Sequence, residues 1–452
     1  MFSIDVEVVG AVLLAVAVLH TFAARQFERL SHRFPRHAGL FHLLGEVEVV
    51  FGFWGIVLVL VMAGLLGGRE ALHYAESRNY TEPLFVVVVM VMAASRPILA
   101  AVSAAVHRVA ALAPVDTRLA IAWLGLSIVP LLGSLVTEPA AMTIAALMLA
   151  PVVFRREIPE TPKYFALGVL FVNISIGGTL TAYAAPPVLM VASTWQWDSW
   201  HMLTHFGWKA SLAVIANATL ATVALRRHLV AVALPDPKAS AAPVPLTVIA
   251  IHAALLAGVV ALAHHPVAFL GLFLMFLGFA QAYERHQSPL ILREALLVGF
   301  FLAGLVILGG VQRWWLEPIV AGLEPLKLFF GALGLTAITD NAALTYLGSL
   351  LPDISDASKH MLVAGAVAGG GPDGDRERAE PGRCGAAQER LRRRHHRRGG
   401  AARRGPAADD RGGRRVPAAL SLGRQPSAAR RVSSARVACC AAAASAAPAC
   451  GR

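Results

Sequence analysis

Apolar residues along this chain gather into blocks near or above 20 residues long, at roughly 6–24, 41–66, 84–106, 119–154, 164–193, 208–225, 246–263, 266–283, 295–312, 318–352 and from 361 onward. A helix of about 20 apolar residues crosses about 30 Å of hydrocarbon. Each block therefore predicts a membrane element, and the chain reads as an all-α polytopic membrane protein. Several blocks are too long for one crossing and carry Gly, Pro and polar residues near their middles. These predict broken helices or re-entrant hairpins.

Polar positions divide the blocks. Arg25, Arg29, Arg33 and Arg36 follow the first one and no basic flank precedes it, which predicts a span with its N-terminus outside rather than a cleaved leader. Arg155, Arg156, Lys163, Arg226 and Arg227 mark further cytoplasmic loops, and Trp195, Trp197 and Trp200 beside Asp198 mark the opposite interface. Pro235, Pro237, Pro243 and Pro245 lie in the 228–245 stretch. That stretch reads as a linker between a first half, 1–227, and a second half, 246–371.

Composition sharpens the picture in one place. The chain is 56% hydrophobic with a formal net charge of +12. From Pro372 onward there are 19 Arg, no Lys and 7 acidic residues, so the tail carries all of that excess and residues 1–371 are neutral. The charge therefore predicts no nucleic-acid partner for the membrane part. All four cysteines (Cys384, Cys439, Cys440, Cys450) lie in the same tail, leaving the membrane part without thiol chemistry. The 372–452 tail reads as the product of a change of reading frame. Back-translated and read one base later, its opening permits an apolar peptide with an Ala-Pro six residues after Gly370 and Gly371, matching GGTLTAYAAPP, where Ala185 and Pro186 follow Gly177 and Gly178.

Two apolar blocks carry the candidate chemistry. TEPAAMT, from Thr137 to Thr143, returns 202 residues later as TDNAALT, from Thr339 to Thr345. Glu138 is the only charged residue between Arg118 and Arg155, and Asp340 the only one between Lys327 and Asp353. An acid at bilayer depth costs roughly 2.5–3.5 kcal/mol on insertion scales, so it implies a use. Pro139 cannot continue a helix entering from residue 119, which predicts a break at Val136 and Thr137 and a new helix capped by Thr137 or Glu138. Thr339, Asp340 and Asn341 predict the same in the second copy.

Half-helices that meet head to tail offer unpaired carbonyls to a cation, with a hydroxyl and a carboxylate to complete its shell. Burial favours the protonated acid and a bound cation the ionised one, so proton and sodium compete for one carboxylate. Glu138 and Asp340 are the expected coupling acids, and Thr137, Thr339 and Asn341 the expected ligands. Gly177, Gly178, Pro186, Gly370 and Gly371 would supply unwound backbone, and Asn173, Ser175, Thr179 and Thr181 further oxygens.

Blander roles compete with each assignment. A Thr-acid pair before a helix is usually only a cap in soluble proteins. Glu46 and Glu48, two apart, face different sides of a helix and fit either a proton path or the interface. Arg96 before Pro97 fits either a partner for a buried acid or the end of a half-helix. No HExxH, GK(S/T) phosphate loop, CxxC pair or GxSxG elbow occurs. Hydrolase and nucleotide-driven activities therefore lack their residues, and no cofactor is expected.

At TEPAAMT, TDNAALT and the GG-to-AP segments the chain resembles the bacterial sodium/proton antiporters of the ion transporter superfamily. The likeness covers residues 1–371, most specifically 133–193 and 328–371. It implies an inverted-repeat helical carrier of about ten to twelve spans, a homodimer in the lipid bilayer of the bacterial inner membrane, exporting sodium against protons from a site at the acid-containing breaks. After Gly371 the chain departs from the family pattern. Two alternatives stay open: a sodium-coupled organic anion carrier, whose motifs resemble neutral Ser-Asn-Thr rather than an acid, and a non-transporting scaffold or degenerate gene product.

Overall fold

The computed structural model describes residues 5–155, 157–229, 244–320, 322–336, 339–351 and 354–369. Gly370, Gly371, the 372–452 tail and most of the expected linker lie outside the described residues. Every regular element described is helical.

Helix α1 (Val6–Arg33) is capped by the Asp5 side chain, which accepts from Glu7 N at 3.1 Å, and its last turn carries His32 and Arg33, charges that suit the two ends of its dipole. The block at 41–66 divides at Glu46 into α2 (Ala38–Gly45) and α3 (Val47–Leu66). A short helix, α4 (Gly68–Glu76), follows. The next two blocks bend: α5 (Thr81–Ala93) meets α6 (Arg96–Leu112) at 63°, and α7 (Thr117–Leu126) meets α8 (Ile128–Val136) at 42°. Next come α9 (Glu138–Leu149), α10 (Glu160–Gly177), α11 (Pro186–Trp195), the single turn α12 (Ser199–Met202) and α13 (Trp208–Leu229). The second half contains α14 (Leu246–Ala261), α15 (Pro266–Ala282), α16 (Leu292–Gly309), α17 (Arg313–Val320), α18 (Pro325–Thr336), α19 (Asn341–Ser349) and α20 (Asp356–Gly369).

Proline opens α6, α9, α11, α15 and α18, the position where its missing N–H costs nothing and its fixed φ is already helical. Chain breaks therefore fall just before prolines that the sequence places inside apolar blocks.

Five segments among the described residues are long and apolar enough to cross a membrane: Val6–Ala24, Val47–Leu66, Glu160–Leu180, Ser199–Leu229 and Leu292–Gly309. Counting each bent pair as one span gives seven. This is fewer than the ten to twelve that the resemblance implies. Much of the remaining apolar sequence is cut into half-helices such as α9, α11, α18 and α19, of 9 to 12 residues each, too short to span alone.

Two apolar clusters frame the breaks. One joins α3, α5 and α16, with Phe51 edge-on to Phe301 at 5.1 Å, and includes Val136, Ala140, Ala342 and Ala343 beside the two acids. The other is built on α7 to α10 and α13. Elements from the two halves interlock. Helix α11 packs along α19 and α10 meets α20, where the Ser175 hydroxyl donates to the Val367 carbonyl at 2.9 Å.

Candidate functional site

Helix α8 ends at Val136, α9 begins at Glu138, and Thr137 alone forms the join. Its backbone stands at φ 83°, ψ 154°, a region populated almost only by glycine and one that costs a β-branched residue about 1–3 kcal/mol. The geometry persists because both flanks are satisfied: Thr137 N donates to the Gly133 carbonyl at 2.8 Å, and the Thr137 carbonyl accepts from Ala141 N at 3.0 Å. Thr137 itself is 5% exposed. Among the described residues, its Oγ1 and Oε1 of Glu138 are both buried without a hydrogen-bond partner. Buried polar atoms of that kind are rare and mark a place built for something else. Both are oxygens on consecutive residues, one of them able to carry negative charge, the donor chemistry that a hard cation takes.

The glycine segment crosses this break. Helix α10 ends at Gly177 and runs into a tight turn, Gly178–Leu180, before the chain extends at Thr181 and re-enters a helix at Pro186. A β-carbon on Gly177 would stand 2.6 Å from the Pro130 carbonyl oxygen, so only glycine lets α10 approach α8 this closely. Thr179, buried, turns its hydroxyl onto the Ile176 carbonyl at 2.7 Å, and Thr181 donates to the Ser134 carbonyl at 2.6 Å.

In the second half Asp340 caps α19. One carboxylate oxygen accepts from Ala342 N at 2.7 Å and Ala343 N at 3.1 Å. Thr339 folds its hydroxyl back onto the Leu335 carbonyl at 2.9 Å, and Asn341 is the first residue of the new helix.

Other expected site residues have different partners. Asn173 is a fastening, not an open ligand: its amide donates to the Leu126 carbonyl at 2.7 Å and the Val214 carbonyl at 3.3 Å, while its oxygen accepts from Asn217 at 3.1 Å. Ser175 gives its proton to Val367 of the other half. Glu46 forms an ion pair with Arg293 at the start of α16, and Glu48 is exposed on the first turn of α3. Arg96 opens α6 at the 63° bend.

One residue at the crossing carries no signal in its own right: Ser134, a single hydroxyl in an apolar run. The available clue is its mate at the repeat offset, since SLVTEP and TAITDN place Ser134 and Thr336 the same 202 residues apart as the two motifs.

No curated protein sequence matches the chain significantly. A family model described as "Putative Na+/H+ antiporter" matches residues 5–372. With its apolar helices broken at paired acids, this multi-pass membrane chain belongs to that sodium/proton antiporter family.

Proposed function

We propose that the protein exchanges sodium ions for protons, with Glu138 and Asp340 as the coupling acids. The carrying observation is the pair of buried, unpartnered oxygens at the α8–α9 break, Thr137 Oγ1 and Glu138 Oε1. A proton on Glu138 and a sodium ion against both oxygens are mutually exclusive occupants. Thr339 and Asn341 take the corresponding ligand role around Asp340. Competition for one site that opens alternately to each side of a membrane is exchange. The family's description names the same two substrates.

The membrane is the bacterial inner membrane, the carrier acts as a homodimer, and sodium leaves as protons enter. The 372–452 tail is a frame-changed version of the last membrane segment, a reading supported by the family match stopping at residue 372, where the composition turns basic. An acid in each motif disfavours the organic anion carrier.

The test is sodium-driven collapse of a pH gradient in everted vesicles, using the chain as written and a frame-restored version. Collapse that disappears in Glu138→Gln and Asp340→Asn supports the reading. Citrate or succinate uptake without proton movement transfers it to the anion carrier, and a frame-restored protein that moves nothing supports the scaffold.

A further inference from the structure

The glycine turn and the acid-bearing break belong to different segments, yet Gly178 rests directly on Glu138: a β-carbon there would lie 2.9 Å from Oε1 and 3.2 Å from Cγ. Something must hold that register, because neither segment is regular at the crossing. The Gly177 carbonyl lies at the end of α10, and the Leu180 N–H at the end of the short 3-10 turn that follows.

One side chain takes up both. The Ser134 hydroxyl donates to the Gly177 carbonyl at 2.6 Å and accepts from Leu180 N at 2.9 Å. A third bond runs through its backbone, where the Ser134 carbonyl accepts from Thr181 Oγ1 at 2.6 Å. A helical serine ordinarily turns its hydroxyl back on its own helix. Here, at 1% exposure and one turn before Thr137, it reaches across instead. The three bonds bracket Gly178, so they set how closely the turn presses on Glu138.

We infer that Ser134 is a positioning residue for the exchange, acting through the glycine turn to fix the Glu138 carboxylate at the α8–α9 break. This rests on the proposed role of Glu138. The second half repeats the arrangement in outline. Thr336 is 0% exposed and bonds the Ala332 carbonyl at 2.8 Å, and Gly369 lies so close that a β-carbon would collide with its Oγ1. Thr336 thus stands where α20 arrives beside the Asp340 break, as Ser134 stands where α10 arrives beside Glu138.

The test is equilibrium binding of radioactive sodium to the purified full chain, with melting temperature recorded in parallel. Glu138→Gln abolishes binding if the site itself is correctly assigned. Ser134→Ala is then expected to raise the sodium Kd about tenfold, the consequence of removing the hydroxyl that ties the Gly177 carbonyl and the Leu180 N–H to α8 at the site's edge, and Ser134→Thr to stay within about threefold because it keeps the hydroxyl. Thr181→Val, which removes the third bond and leaves Ser134 intact, is expected to weaken binding by a smaller factor and serves if Ser134→Ala does not fold. A lower melting temperature with an unchanged Kd makes the serine merely structural and overturns the inference alone. Binding that survives Glu138→Gln overturns the site assignment and this inference with it.

Discussion

Gly178 touches the carboxylate of Glu138 at a point where two interrupted helices cross, with room for a hydrogen but not a methyl group. Gly178→Ala should therefore press on the acid without altering any ligand. The expected outcome is a loss of sodium-driven proton movement of about tenfold or more, since a displacement near 1 Å at a reacting centre can cost that much. Gly168→Ala, where a β-carbon meets nothing within 4 Å, is the matched control and should leave transport intact. Gradient collapse in vesicles at equal protein density reads both.

Asparagine caps a helix as well as aspartate does. Asp340→Asn should keep the bonds to Ala342 N and Ala343 N, and with them α19, while removing the charge. Unchanged helical content by circular dichroism with exchange reduced by about tenfold or more is the expected pair of results. Retained exchange would show that only one acid titrates.

Thr137 combines a strained backbone with an unpartnered hydroxyl, and two substitutions separate them. Thr137→Gly should relieve strain, changing stability by about 1 kcal/mol in the favourable direction, yet weaken sodium binding. Thr137→Ala keeps the strain and loses the hydroxyl, so it should weaken sodium binding without the gain. Thermal unfolding in detergent beside sodium titration distinguishes the two effects.

A proton and a sodium ion that compete at Glu138 give a signed pH dependence. As pH falls, the apparent KM for sodium should rise, by about tenfold per pH unit where one proton is displaced per ion, with the maximal rate at saturating sodium changing far less. Sodium titrations of exchange at several pH values provide the check. A KM independent of pH would remove Glu138 as the shared site.

Glu46 and Arg293 form an ion pair whose arginine is largely exposed, a geometry worth about 0–1 kcal/mol. Glu46→Gln is expected to leave exchange within about twofold of normal, against a proton-path role.

The Glu138 break was legible because proline's effect on a helix is local: Pro139 has no N–H to give the preceding turn and suits the start of a new helix. Asp340 was legible without a proline, from the Thr-Asp-Asn capping residues at the same place in the repeated motif. Roles decided by distant partners were not. A buried asparagine looks alike in sequence whether it binds an ion or a carbonyl, and the bond that Asn173 accepts from Asn217, 44 residues away, shows only in the fold. The partner of Glu46 lies 247 positions along the chain. Ser134 was hard to read for a related reason, since beyond its mate at the repeat offset a lone hydroxyl in an apolar run gains meaning from the turn it meets 43 residues later.

Helix α11 continues from the glycine turn of one half, α19 continues from the acid of the other, and the two lie side by side. A tilt of one rod that keeps this packing has to move the other, and each rod leads straight back to a segment that carries an acid or lies on one.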